Sequence, residues 1–264
     1  MPYSNEELDD ISNKFEVWHR REDELVIALF THEYRTEAAS VIAHQGLGRR
    51  LHGLTHAMDR VFQHVAPNAT DPSREALWDA AAYLQSFIVN VYGALDNLAR
   101  IWIIEADVKE NDKPVPRAHI GLGPDYKTVR ESFPAATKEY LSKSDGWFRY
   151  LENYRHALAH RIPLYIPPRQ LDREATKASN ALEEQMTIAS AEQKHDLYDE
   201  LRAEQKRLGV FEPVMMHSFG DDPDDGTPVK FHGQMICDLA TLVEIAEHVL
   251  SDLKALPSVE AAAG

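Results

Sequence analysis

Residues 73–104 read SREALWDAAAYLQSFIVNVYGALDNLARIWII, the longest and most apolar helical pattern in the chain. Trp78, Leu84, Phe87, Ile88, Val91, Leu95, Leu98 and Trp102 recur at helical spacing and predict one buried stripe. Asn90, Asp96, Asn97 and Arg100 interrupt the pattern on another side. Such a helix must be covered by other helices, so the expected fold class is mainly α. Trp78, Phe87 and Trp102 read as core residues rather than as platforms for stacking bases.

Upstream, Ser4-Asn5-Glu6-Glu7 has the form of a helix start, with a cap candidate followed by acids. Helical periodicity runs with breaks to Ile42, Gly46 and Gly48 punctuate, and Leu51, Leu54, Met58, Val61 and Phe62 mark another amphipathic helix. Ala66 to Pro72 is a loop that ends in a cap-like Asp71-Pro72 pair. Downstream, 109–125 is rich in Pro and Gly and reads as a surface loop. Short helices are expected at 127–132 and 134–142, and a further helix at 145–161. Leu164 to Pro168 reads as extended, and 173–208 as an exposed helix or helical hairpin. Val214 to Phe219 and Val229 to His232 flank an acidic turn, predicting a β-hairpin near the C-terminus. A last helix spans 238–253, followed by a frayed tail at 261–264.

The chain has 264 residues, enough to bury a sizeable core. No apolar run approaches the roughly 18 residues of a membrane span, so no membrane partner is expected. Cys237 is the only cysteine, which excludes an internal disulfide and, with no visible leader, points to a cytoplasmic protein. The formal net charge of -15 argues against a broad electrostatic grip on nucleic acid. Residues 149–173 run against that charge. Arg149, Arg155, Arg161, Arg169 and Arg173 face only Glu152 and Asp172, a local field that suits an anionic ligand.

Within that basic stretch, Arg155-His156-Ala157-Leu158-Ala159-His160-Arg161 closes a helix that Ile162-Pro163 then stops. At about 100° per residue, Trp147, Leu151, Tyr154 and Leu158 share an inward arc. Asp145, Arg149, Glu152, His156 and His160 share the opposite one, with Arg155 to the side. Arginine supplies a planar fork of donors that stays charged, and histidine exchanges protons near neutral pH. Together they suit cleavage of RNA by its own 2′-hydroxyl, which requires no metal or other cofactor. Two copies facing across a two-fold axis would supply both an acid and a base, so a homodimer is expected. The spacing alone is weak: 17 arginines and 13 histidines yield about 0.8 such pairs by chance. The plainer alternative is a helix end whose basic groups cap carbonyls and meet the C-terminal dipole.

Arg155-His156-x-x-x-His160 after an aromatic-rich helix, with Leu95-Asp96-Asn97-Leu98-Ala99-Arg100 earlier, resembles the HEPN superfamily of α-helical bundles. The resemblance covers residues 73–162 best, with the last helix. It implies an up-and-down helical bundle with 73–162 and 236–256 as its core. Residues 1–65 would then be a helical extension and 163–235 an insertion, all in a single domain. It also implies dimerisation through the motif helices and, in many members, metal-independent endoribonuclease activity in toxin–antitoxin or antiviral systems. An antitoxin protein would then be a partner. By resemblance Arg155 and His160 take the signature positions, His156 the polar position between them, and Asp96 or Asn97 a place in the cleft. Arg149 and Arg161 are expected to add to substrate binding. His156 stands where asparagine or aspartate is commoner. Some members are inactive binding modules, which makes a non-catalytic module for RNA, nucleotide or protein the alternative reading.

Other candidates carry less. His156 and His160 have the i,i+4 spacing of zinc ligands, but no third ligand is evident. His52 and His56, near Arg49, Arg50 and Arg60, read as an exposed helix face. The Asp221 to Asp225 cluster lacks the terminal glutamate of a calcium loop, and Gly121-Leu122-Gly123 lacks the context of a phosphate loop.

Overall fold

A computed structural model describes residues 2–218 and 226–257. Helix α1 (Asn5–Thr31) starts at a capping box in which Ser4 Oγ accepts from the Glu7 amide and Glu7 Oε2 accepts from the Ser4 amide at 2.7 Å. Thr36 caps the short α2 (Glu37–Val41). The chain does not stop at Gly46 and Gly48. It continues through a π-helical turn (Ile42–Leu47) into α3 (Gly48–His64). Gly48 serves close packing instead, because a Cβ there would lie 2.7 Å from the Phe30 ring.

Helix α4 (Arg74–Glu105) is the centre of the molecule. Ser73 caps it, accepting from the Ala76 amide at 3.1 Å, so the cap falls after the Asp71-Pro72 pair. Phe87, Ile88, Val91, Leu98 and Trp102 are buried as expected, but Trp78 is 68% exposed. Leu77 and Ala80 take the inward positions in that turn, and the Arg74 guanidinium lies over the Trp78 ring. By length and composition α4 could cross a membrane, and half of that stretch is buried within the protein. At its C-terminal end, buried Glu105 accepts from the amides of Arg35 and Thr36 at 2.7 and 3.0 Å, which fixes the turn between α1 and α2.

The fold is mainly α, with a small hairpin near the C-terminus. Residues 1–65 are no appendage to it. Leu25, Leu29, Leu51, Leu54, Met58 and Val61 belong to the same apolar cluster as Phe87 and Ile88 of α4 and as Leu239 and Val249 of α10 (Phe231–Lys254). The 3.6-residue pattern in the N-terminal third therefore marks core helices, and α3 against α4 is the most extensive helix pair. The loop after α4 contains a two-residue ladder, β1 (Lys109–Glu110) with β2 (Lys113–Pro114). Asn111 and Asp112 turn it with φ of 52° and 61°, a left-handed pair suited to a tight hairpin. Helices α5 (Lys127–Glu131), α6 (Ala135–Lys143) and α7 (Asp145–His160) follow.

After α7, Tyr165 and Met216 exchange backbone hydrogen bonds and tie the extended stretch to β3 (Val214–Ser218). This strand pairs antiparallel with β4 (Gly226–Lys230), Met216 opposite Pro228. The acidic turn at Asp221 to Asp225 and the tail at 261–264 lie outside the described residues. Helices α8 (Arg173–Ala191) and α9 (His195–Gln205) form a helical hairpin around a cluster of their own, Leu182, Met186, Ala189 and Leu201.

One buried histidine joins three distant segments. His232, at the start of α10, donates from Nε2 to the Val65 carbonyl at 2.7 Å and accepts at Nδ1 from the Tyr3 hydroxyl at 3.3 Å. Burial pushes its imidazole down to about 4, so the native protein holds it neutral. The unfolded chain takes up this proton as pH falls through about 6.5, while the native state refuses it until about 4. The stabilisation is therefore full above 6.5 and is lost between those values, with a loss on the order of 3 kcal/mol. Urea denaturation of the wild type and of His232→Gln at pH 7 and pH 4.5 checks this. The variant is expected to be weaker at pH 7 yet to lose less on acidification. An equal acid loss in both would remove His232 from the effect.

Candidate functional site

Helix α7 is held at three points on its inner side. Near its start, Asp145 pairs with Arg130 of α5 at 2.7 Å, and the Arg130 guanidinium lies over the buried Phe148 ring. Trp147 donates through its indole N–H to Asp238 of α10 at 2.8 Å. Further along, the Tyr154 ring packs at a tilt against His217 of β3 with ring centroids 4.1 Å apart, and His217 donates to Asn153 Oδ1 at 3.0 Å. The fully buried positions are Phe148, Leu151, Tyr154 and Ala157. Trp147 and Leu158 pack only partly, so the inward arc lies one position away from the expected Trp147 and Leu158 at both ends.

Two ionisable groups lie buried beneath the helix, Asp238 and His217. Burial raises the Asp238 carboxyl to about 6, although Trp147 and Gln234 both donate to it and oppose the rise. Burial, with the nearby Arg161 guanidinium, pushes His217 down to about 4. Sequence reading picked out neither Asp238 nor His217. Their only signal was a polar residue at an inward position of an otherwise apolar helix and strand.

The outer side carries the motif. Arg155 is exposed, and its guanidinium lies over the Tyr92 ring of α4 at 4.8 Å. This contact is with the ring and occupies no hydrogen-bond acceptor. His156 stands 3.8 Å from Glu152, and its ring centroid is 6.2 Å from that of exposed His160. His160 lies in the last turn of α7, where its charge would also meet the C-terminal dipole. Arg155 leans toward α4 while His156 and His160 follow each other along the outward strip with their rings tilted by 51°, and no hydrogen bond or ion pair joins Arg155 to His160.

The remaining candidates divide. Asp96 comes close enough to Arg155 for the guanidinium to pull its carboxyl down, although burial is the larger effect and leaves it raised. Asn97, on the neighbouring strip of α4, accepts from Arg50 of α3 at 3.1 Å. Arg149 is exposed near the start of α7, on the strip that carries His156 and His160. Arg161 ends the helix in an extended conformation and turns its charge toward His217. A cavity of about 20 Å³, lined by Tyr92, Asp96, Tyr126, Phe148 and Glu152 among others, lies between α4 and α7. It has room for about one water. Sequence reading misses Tyr92 and leaves Arg50 on an exposed helix face, whereas Arg50 is half-buried; Gly93, an isolated glycine inside a helix, marks such a close approach. No group of three or more His, Cys, Asp or Glu side chains among the described residues could hold a metal ion. Comparison with protein-family models, curated proteins and solved structures found no match.

Trp147→Phe tests the anchoring of α7. The ring keeps its packing while buried Asp238 loses one of two donors, a cost of roughly 1–3 kcal/mol. Amide hydrogen exchange across 145–160 should accelerate while that of α1 stays the same. Equal exchange in α7 of both proteins would show that the helix is held without this bond.

Proposed function

We propose that the protein is a cytoplasmic, metal-independent endoribonuclease of HEPN type that works as a homodimer. The single observation that carries this reading is the state of the α7 motif. A guanidinium is positioned by an aromatic face, and two exposed imidazoles lie on the adjoining strip of the same well-anchored helix.

The chemistry is internal transesterification. The 2′-hydroxyl attacks the adjacent phosphorus, the bond from phosphorus to the 5′-oxygen breaks, and a 2′,3′-cyclic phosphate and a 5′-hydroxyl result. His160 takes the proton of the 2′-hydroxyl or gives one to the leaving oxygen. Arg155 neutralises charge that builds on the phosphorane. His156, steadied by Glu152, orients the substrate or shares the proton transfer. One protomer holds Arg155 and His160 on different strips, so the proposal places the complete set across a two-fold axis, where facing α7 helices supply acid and base. Arg149 would add an outer phosphate contact on the same strip. A role as a toxin or antiviral component, with an antitoxin protein as partner, would accord with such an activity.

The separation of Arg155 from His160 within the chain also favours a second reading, a non-catalytic module that binds RNA, nucleotide or protein through the same face. Incubation of labelled single-stranded RNA in EDTA separates the two. The wild type should release 5′-hydroxyl ends, and His160→Ala and Arg155→Ala should each lose roughly 100-fold or more in rate. Binding without cleavage by any of the three would leave the module. Equal cleavage by wild type and His160→Ala would take His160 out of the mechanism.

A further inference from the structure

Helices α3 and α7 both pack on α4, and between them α4 presents a polar strip. Tyr92, Asp96, Asn97 and Arg100 lie half-buried along it, and Asn90 lies half-buried at one end. Arg155 reaches the strip from the α7 side by lying on Tyr92. Arg50 reaches it from the α3 side. Its Nε donates to Asn97 Oδ1 at 3.1 Å and its Nη1 to Asn90 Oδ1 at 3.4 Å.

The seat of Arg50 depends on a missing side chain. A Cβ on Gly93 would stand 2.4 Å from the Arg50 guanidinium carbon, so the guanidinium lies flat where only glycine leaves space. Two amide oxygens hold it there without neutralising it. Asn97 and Asn90 engage Nε and Nη1, and the Nη2 edge has no hydrogen-bond partner among the described residues. Arg100, on α4 itself, follows Asp96 by one turn. The fields of all three guanidiniums reach Asp96. Glu152, the acid on the α7 side, stands beside His156. In a chain of net charge -15, three guanidiniums from three helices thus lie about Asp96, with Asp125 and Glu152 as the other acids lining the small cavity beside it.

We infer that this strip is a phosphodiester-binding groove in which Arg50 and Arg100, together with Arg155, track the backbone of a single-stranded RNA. The assignment rests on the ribonuclease reading for the identity of the polymer, and on the three guanidiniums for its charge. Planar guanidinium forks match phosphate oxygens, whereas a mobile lysine would offer only a point charge. A duplex needs no such strip, because its phosphates lie on a wider and more regular surface.

The test uses the full chain carrying His160→Ala, so that cleavage does not consume the probe, and a fluorescein-labelled single-stranded RNA. Adding Arg50→Ala or Arg100→Ala should weaken binding about tenfold. Each should also reduce the slope of log affinity against log salt by about 0.7, the value for one lost contact to a single strand. Arg50→Lys keeps the charge and loses the fork, so the slope should hold while affinity falls about threefold. This variant decides the matter where Arg50→Ala does not fold. Parental affinity and slope in all of them would overturn the groove. A change of sedimentation in place of binding would also overturn it, assigning the strip to contact between copies of the chain. Cleavage is followed separately with native His160. RNA bound through Arg50 but never cut keeps the groove and removes the ribonuclease. Cutting with binding indifferent to Arg50 and Arg100 does the reverse, and no binding at all removes both.

Discussion

Helix α4 sets the terms for the rest of the molecule, because it cannot exist uncovered in water. Phe87, Ile88, Leu98 and Ile101 are almost wholly buried, and each such side chain favours burial by roughly 1.5–3 kcal/mol. Helices α3, α7 and α10 supply the cover. Between α3 and α7 they leave a half-buried polar strip of Tyr92, Asp96, Asn97 and Arg100, while Trp78 and Val89 stand exposed elsewhere on α4. A polar strip between two flanking helices follows from where the apolar residues of α4 fall. It becomes a site because Arg50 and Arg155 lean into it from opposite sides.

Helix α7 then divides its labour by face. The inner face is fixed by unlike contacts, namely an ion pair to α5, an indole hydrogen bond to α10 and a tilted ring contact with β3. Anchors on three different elements limit both rotation and sliding of the helix. Rigidity of this kind matters for proton transfer, where small displacements of a donor carry large penalties in rate. The outer face keeps Arg155, His156 and His160 exposed or half-exposed. The buried groups behave in the opposite way. His217 and His232 are held neutral near physiological pH by burial, and Asp238 has its ionisation pushed upward. Histidines of one chain thus fall into two populations, an interior one that does not titrate near neutrality and a surface one open to solvent and ligand.

Much of the architecture was legible before any coordinates. The mainly α class, the bounds of α4, α5, α6 and α7 to within a few residues, the helical hairpin at 173–208 and the β-hairpin are readable because each depends on local periodicity or turn chemistry. The misreadings share a cause. Trp78 was placed inside because it is large and apolar, yet its turn of α4 has Leu77 and Ala80 inward, and nothing local reveals which neighbour a helix will meet. Gly46 and Gly48 look like breaks in one dimension but in three they admit a close approach. Residues 1–65 look separable only while their partners on α4 and α10 are unknown.

The site followed the same rule. The residues of the α7 motif, their helix, its end at Arg161 and the local excess of arginine are properties of sequence alone, since helical spacing and charge are countable along a chain. Tertiary structure alone decided that Arg155 rests on Tyr92, that Arg50 crosses Gly93 to reach Asn97, and that Asp238 and His217 lie beneath the motif helix. Those contacts join residues 40 to 90 positions apart, and only packing, which no local pattern encodes, determines which of them meet.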